Sequence, residues 1–351
     1  MVKPRDAADE TTEPGSGAAT IVDVAKAAGV SPSTVSYVIT GKRPISPRTR
    51  RLVEETIRKV GYQRRPWSSA MVSQRVGVLA MAVPLRGGEN TGTEMEFFAA
   101  AAAAARARHF DLLLVTHDEG IAGLRRVTSA ALADAVIVME VAADDPRLPI
   151  LLTAGQPSVL VGVPDRPDGL TCVDLDFRAA GAACVTHLAD LGHRSVVHIG
   201  PPPETYLGKI SYATRFLEGV TTAAARHGMR AASGSCSSSA AEITACLDGL
   251  FAEAAPTALV VDNEKALPLV LAAVHRRGLR VPEDLSLVAV SSETVAKQQR
   301  LRPTGVVIPA RALGELAVER AALQLDGRST TGVELLAPRV MVGETTARAP
   351  R

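Results

Sequence analysis

The sequence predicts an α/β protein, with a three-helix helix-turn-helix headpiece at the amino terminus and a doubly wound core after it. Three observations lead there. A short basic stretch, residues 20–62, carries helix start signals separated by a tight turn. From residue 76 onward, apolar runs of strand length alternate with helical stretches, the pattern of parallel sheets buried on both faces. A chain of 351 residues that is 46% hydrophobic also has enough apolar material for two or three domains.

In the headpiece, Thr20 is read as the cap of the first helix, with Asp23 completing a Thr-x-x-Asp box and Val24, Ala25 and Ala28 sharing one face. Gly29 and Val30 make the turn. Ser31-Pro32 starts the second helix: a side-chain oxygen for its orphan N–H groups, then a residue whose fixed φ suits the first helical position. Val35, Val38 and Ile39 form its buried stripe, which leaves Pro32, Ser33, Thr34, Ser36 and Tyr37 facing outward. Ser46-Pro47 opens the third helix, with Thr49 and Arg50 in its first turn and Leu52, Val53, Ile57 and Val60 closing the core. Between Thr20 and Arg75 eleven cations meet three acids, a net charge of +8 in a chain whose total is +2. Phosphate binding is the natural use of so local an excess.

The stretch DVAKAAGVSPSTVSYVITGKRPISPRTRRLVEETIRKVGY resembles the headpiece of the LacI/GalR (Lac-repressor-type) family of bacterial transcription regulators. That resemblance implies a double-stranded DNA operator as partner, with Thr20, Ser31, Pro32, Ser33, Thr34, Ser36, Tyr37, Ser46, Thr49, Arg50, Arg65 and Met71 as contact candidates. In the family, the segment after the headpiece is a hinge helix that enters the minor groove and wedges a leucine between base pairs. Counted from Tyr62, Met71 holds the wedge position in this hinge, residues 63–75. The chain departs from the family in placing Arg64 where a proline is usual, with proline only at Pro66. A plain linker with Trp67 packed on a domain is the competing reading.

Strands are expected at residues 76–83, 112–115, 135–139, 158–163, 195–199, 258–261, 285–290 and 306–308. Helices are expected at 94–109, 177–191, 211–227, 240–253, 265–277 and 310–325, and the alanine run 99–105 suits close approach by another helix as well as it suits high helix propensity. Right-handed crossovers then put a ligand crevice at the carboxyl ends of the strands. The segments HLADLGHRSVVHIG, RGLRVPEDLSLVAV and ALGELAVERAALQLDG look like the family's two-lobed core, which is similar to periplasmic sugar-binding proteins. By this resemblance the first lobe takes about 76–176 and 306–333 and the second about 177–305 and 334–346. Residues 1–19 and 347–351 are then tails.

The same resemblance implies a small-molecule effector between the lobes and a homodimer; no leucine heptad follows the core, so a dimer is expected rather than a tetramer. The effector-site candidates are Asn263, Arg215, Phe216 and Ser291. Asn263 aligns with the asparagine of the family's Asn-Asp pair, whereas Ser291 stands where a ligand-gripping aspartate is usual and Phe216 where an arginine is common, with Arg215 the nearest cation. Common monosaccharides and purines are therefore not expected to bind, unless Glu264, Ser292 or Glu293 relocates the anchors.

Other classes find little support. The stretch ending Gly208-Lys209 lacks the leading glycine and following hydroxyl of a phosphate loop, and His193 and His198 do not share a helical face, so no cofactor or metal is expected. There is no Gly-x-Ser-x-Gly elbow, and Gly234 to Ser237 is read as loop. Cys172, Cys184, Cys236 and Cys246, scattered without Cys-x-x-Cys spacing, are expected as reduced thiols. Neither a membrane span nor an export signal is recognised, and a cytoplasmic location is expected. The competitors to a transcription regulator are a solute-binding protein or an α/β enzyme with an incidental basic head.

Overall fold

The computed structural model describes residues 21–40, 43–60, 75–83, 92–236 and 239–350, apart from the side chains of Ile39, Thr40 and His117. The chain divides into two compact units, Met1–Gln74 and Arg75–Arg351.

The smaller unit contains α1 (Ile21–Ala28), α2 (Pro32–Thr40) and α3 (Pro47–Val60). Val24, Ala25, Ala28, Val35, Val38 and Val53 form its core, and Gly29 makes the α1–α2 turn at φ +63°, a conformation glycine adopts without a Cβ penalty. The third helix is rotated from expectation. Leu52 is exposed, Val60 is half-buried, and Thr56 is buried instead, its hydroxyl donating to the Leu52 carbonyl at 2.8 Å. Helical spacing explains the change: Val53, Thr56 and Ile57 make one continuous face, and Leu52 lies about 100° from Val53.

The larger unit is built on two six-stranded sheets. The first has the order β11-β5-β4-β3-β1-β2, all parallel, from β1 (Val78–Ala82), β2 (Asp111–Val115), β3 (Ala135–Val138), β4 (Ser158–Val161), β5 (Thr171–Leu175) and β11 (Gly332–Leu336). Helices α4 (Gly92–Ala107) and α13 (Ala310–Leu325) cover one face, and α5 (Gly120–Ser129) and α6 (Leu148–Ala154) cover the other. The second sheet has the order β12-β10-β9-β8-β6-β7, from β6 (Ser195–Gly200), β7 (Arg230–Ser235), β8 (Ala258–Val261), β9 (Ser286–Ser291), β10 (Thr304–Val307) and β12 (Val340–Met341). Only β12 runs antiparallel. Its faces are covered by α7 (Phe177–Asp190) and α9 (Ser211–Arg226), and by α10 (Ala240–Ala254) and α11 (Leu267–Arg276). The short helices α8 (Pro203–Leu207) and α12 (Glu293–Gln298) follow β6 and β9.

Several sequence expectations are corrected here. The return to the first lobe does not begin at residue 306, because β10 pairs with β9 and buries Val306 in the second lobe's core; the chain returns with α13 and stays through β11 to Leu336. Residues 347–350 are no loose tail. The Ser286 hydroxyl accepts the Ala347 N–H at 3.0 Å and donates to the Ala347 carbonyl at 3.2 Å, and the Ala349 N–H donates to the Leu191 carbonyl at 3.0 Å. Gly234 and Ser235 belong to β7 rather than to a loop. Cys236 and Cys246 form a disulfide with Cα atoms 6.5 Å apart, because α10 folds back across the end of β7 and brings together thiols ten residues distant. Cys172 and Cys184 remain free and buried, and burial pushes the Cys172 thiol up to about 12.

Two glycines set the spacing of α7 and α9. A Cβ on Gly219 would lie 2.1 Å from the Arg178 carbonyl oxygen, and one on Gly181 would lie 2.3 Å from the Phe216 carbonyl oxygen. The alanine run of α4 plays a similar part, since Gly314 of α13 approaches the Phe97 carbonyl with room for no Cβ. Gly219→Ala should therefore force the α7–α9 pair apart and destabilise the unit by about 1–3 kcal/mol, the usual scale for an overpacked interior. Urea unfolding checks this: an unchanged midpoint would mean that the helices separate at no cost.

Candidate DNA-contacting surface and interlobe cleft

In the small unit, Ser31 and Ser46 each begin a helix in the same way. The Thr34 N–H donates to Ser31 Oγ at 3.2 Å while the two hydroxyls lie 2.9 Å apart; Thr49 and Ser46 repeat this at 3.2 and 2.8 Å. These four hydroxyls are thus occupied in capping, with lone pairs left for a phosphate or base edge. Pro32 and Ser33 are exposed, Ser36 and Tyr37 half-buried. The Arg43 guanidinium carbon sits 5.5 Å from the centre of the Tyr37 ring, a cation–π contact that the sequence reading did not single out. Lys26, Arg43, Arg48, Arg50, Arg51, Arg58 and Lys59 are all exposed. Thr20, Arg65 and Met71, with the rest of the proposed hinge up to Gln74, lie outside the described residues.

Neither Pro32 nor Ser33 can make a bidentate contact with a base edge, whereas Tyr37 can offer one hydroxyl and a ring face. Tyr37→Ala is expected to abolish the preference for operator over random duplex, whereas Arg50→Ala should weaken both to a similar degree. Fluorescence anisotropy with the two duplexes checks this, and an unaltered preference in the Tyr37 variant would refute the assignment.

In the large unit, the carboxyl ends of the two sheets border a cavity of about 270 Å³. Two seams join the lobes beside it. On one, the Ser211 N–H donates to the Val141 carbonyl at 2.9 Å and the Ala143 N–H to the Lys209 carbonyl at 2.8 Å. On the other, Thr93 at the start of α4 donates its N–H to Glu264 Oε1 at 3.3 Å and its hydroxyl to Glu264 Oε2, while the same hydroxyl accepts the Ser292 N–H at 3.1 Å. Burial pushes the Glu264 carboxyl above its usual range, with the Thr93 donors opposing the shift.

Of the four effector candidates, only Asn263 borders this cavity, and its amide is already engaged. Nδ2 donates to the Cys236 carbonyl at 3.0 Å and Oδ1 accepts the Ala266 N–H at 3.2 Å, so the side chain organises the loop after β8. Phe216 is fully buried in the second lobe's core, packed against the His198 ring at 5.6 Å. Ser291 ends β9 facing a separate groove beside Ala289 and Pro309. Arg215 turns to Asp174, with Nη1 to Oδ2 at 2.9 Å, because that carboxylate is buried at the end of β5 and needs a counter-charge. Burial drives the Asp174 carboxyl up to about 7, with Arg215 the main opposing influence.

The residues that do border the cavity include Thr93, Glu94, Glu140, Phe177, Tyr212 and Asp262. Asp262 could have been found from the rule that ligand-binding side chains gather where parallel strands end, since it directly follows β8; Tyr212, inside a helix, gives no such sign. Removing Arg215 would leave Asp174 buried and unpaired. Arg215→Ala should cost about 3–5 kcal/mol of stability, with most of it regained in the double variant Asp174→Asn/Arg215→Met. A chemical denaturation series reads both, and a stability loss under about 1 kcal/mol in the single variant would mean that the pair contributes little.

Two family models match the chain: residues 20–65 match the bacterial regulatory proteins of the lacI family, and residues 185–346 match a periplasmic binding protein-like domain. The chain is similar to the LacI family of bacterial regulators. It is a DNA-binding transcriptional regulator with a helix-turn-helix unit and a two-lobed core. Among its relatives, the HTH-type transcriptional regulator CelR of Thermobifida fusca is 26% identical over 93% of this chain and 98% of its own. Catabolite control protein A of Priestia megaterium is 24% identical over 85% and 90%. Among solved structures, the Lac repressor dimer bound to operator and the anti-inducer ONPF shares the fold at a TM-score of 0.82 and 21% identity, covering 94% of this chain and all of that one. A CelR–cellobiose complex superposes with a TM-score of 0.67 at 25% identity, covering 93% and 99%. No described helix of this chain is long and apolar enough to cross a membrane.

Proposed function

We propose that this regulator binds a near-palindromic operator as a homodimer, acts as a repressor, and is controlled by a small molecule held between its lobes. The observation that carries this reading is the presence in one chain of two complementary devices. One is a helix-turn-helix unit with seven exposed cations against three acids among its described residues. The other is a pair of parallel sheets whose carboxyl ends border a cavity spanned by the Thr93–Glu264 bond. Two-fold pairing of headpieces matches a site of two half-sites, one or more helical turns apart.

Gel-shift titration on the promoter of the protein's own gene, run as a salt series, tests the reading. The specific complex is expected to contain two chains per duplex, and log K should fall linearly with log salt, with a slope of about −0.9 for each phosphate neutralised. Equal affinity for promoter and random duplex at every salt concentration would sink it. Light scattering showing four chains per particle would overturn the dimer.

A further inference from the structure

The four cysteines fall into two pairs with different surroundings. Cys172 and Cys184 are fully buried, and burial pushes both thiols well above their usual range, so neither is disposed to react. Cys236 and Cys246 are joined in a disulfide, with Cys236 only 2% exposed and Cys246 half-buried on α10. Gly234 leaves room for the bridge, since a Cβ there would stand 3.0 Å from Cys246 Sγ. A regulator of transcription works beside its DNA, where glutathione and thioredoxin systems keep thiols reduced. A disulfide in such a compartment is characteristically transient and redox-sensing.

What the bridge holds lies on the wall of the cleft. Cys236 directly follows β7, the outermost strand of the second sheet, which pairs with β6 on one side only. Its carbonyl accepts the Asn263 amide at 3.0 Å, and Asn263 Oδ1 accepts the Ala266 N–H at 3.2 Å, so the loop after β8 is pinned through Cys236. The next residue in that loop is Glu264, which takes both donors of Thr93 across the cleft. A continuous set of bonds therefore runs from the sulfurs to the seam between the lobes. Cleaving the bridge unties Cys236 from α10 at the end of an edge strand, where local opening costs little, and Asn263 then loses a fixed acceptor.

We infer that Cys236 and Cys246 form a peroxide-responsive switch whose state is read at the interlobe seam through Asn263 and Glu264. Half-buried Cys246 is the thiol that meets the oxidant, and Cys236 resolves it. The Cys246 thiolate attacks one oxygen of hydrogen peroxide, the O–O bond breaks, and the departing hydroxide takes up the thiol's proton as water, which leaves a sulfenic acid on Cys246. The Cys236 sulfur then displaces that hydroxyl as a second water, and the S–S bond forms. Two thiols and one peroxide thus give one disulfide and two waters, the sulfur pair losing two electrons and the peroxide gaining them. A dithiol reverses the step by exchange. The use of this switch in transcription rests on the regulator reading above.

The full chain, reduced with dithiothreitol, desalted and divided in two, supplies the test when one half receives one equivalent of hydrogen peroxide. Peptide mass mapping is expected to find the Cys236–Cys246 bridge in the treated half, with Cys172 and Cys184 still free. Amide hydrogen exchange at Thr93, Ala266 and Ser292 should run at least about fivefold faster in the reduced half, the low end of typical coupling between sites. Cys236→Ser, treated with peroxide and dimedone, should carry the sulfenic adduct at Cys246, whereas Cys246→Ser should carry none at Cys236; the reverse labelling would overturn the assigned order. A bridge that resists dithiothreitol, thiols that stay reduced in peroxide, or equal exchange in the two halves would each overturn the switch, and none of these depends on a variant that folds. Gel shifts of both halves on the promoter of the protein's own gene separate the two readings. Operator affinity is expected to differ at least about fivefold between them. Equal affinity would remove the switch from transcription, whereas no binding by either half would remove the regulator reading and leave exchange to decide the switch.

Discussion

Thr93 is the residue through which the two lobes of the core constrain one another. Its N–H and hydroxyl both serve Glu264, and its oxygen takes the Ser292 N–H, so one side chain at the start of α4 fixes two loops of the opposite sheet. Each such bond contributes about 1 kcal/mol net. That is the scale of a typical allosteric coupling free energy, about 1–3 kcal/mol. A ligand that touches both lobes therefore needs only modest differential contact to change the balance between closed and open arrangements. The opposite seam, where residues 141–143 meet residues 209–211 through main-chain bonds, is independent of side-chain identity and suits a pivot.

The same closure explains why the polar groups at the seam are so fully used. Once two parallel sheets bring their strand ends together, every carboxylate there loses water and must find a donor or a counter-charge. Asp174 finds Arg215. Glu264 finds Thr93, and Asn263 holds the loop after β8 against the residue that begins the Cys236–Cys246 bridge. Asp262 alone among these carries a buried oxygen left over, its other oxygen accepting from His198 Nε2 at 2.9 Å.

How far the sequence foretold this depends on what kind of residue marks each element. The strands of Val, Ile and Leu that form the sheet centres were legible as apolar runs, because strands buried on both faces have no polar side. β5 and β7 were not: β5 reads Thr-Cys-Val-Asp-Leu, with an aspartate that only a distant arginine makes tolerable, and β7 reads Arg-Ala-Ala-Ser-Gly-Ser at a sheet edge. The lobe crossing at β10 was misjudged for a similar reason, since Gly305-Val306-Val307 carries no sign of which sheet it joins. In the cleft, alignment by resemblance placed Phe216 and Ser291 by register alone. Their burial in a core and a neighbouring groove follows from side-chain direction, which register does not carry.

The headpiece presents the opposite problem, a surface whose chemistry was legible but whose discriminating power is slight. Small hydroxyl side chains busy with capping, a proline and one half-buried tyrosine offer few directional contacts to base edges, while seven exposed cations offer many to phosphate. Such a surface binds any duplex well at low salt. Selectivity must then come from terms that add across a complex: two half-sites read at once, and the energy of deforming a particular sequence to fit. With the Arg43 guanidinium 5.5 Å from the centre of the Tyr37 ring, the one aromatic side chain among this unit's described residues is held by a cation, so ring orientation and the position of a positive charge are coupled in a single pair. A regulator built this way gains its discrimination from geometry, and its sensitivity to a ligand from the few bonds that hold the core closed.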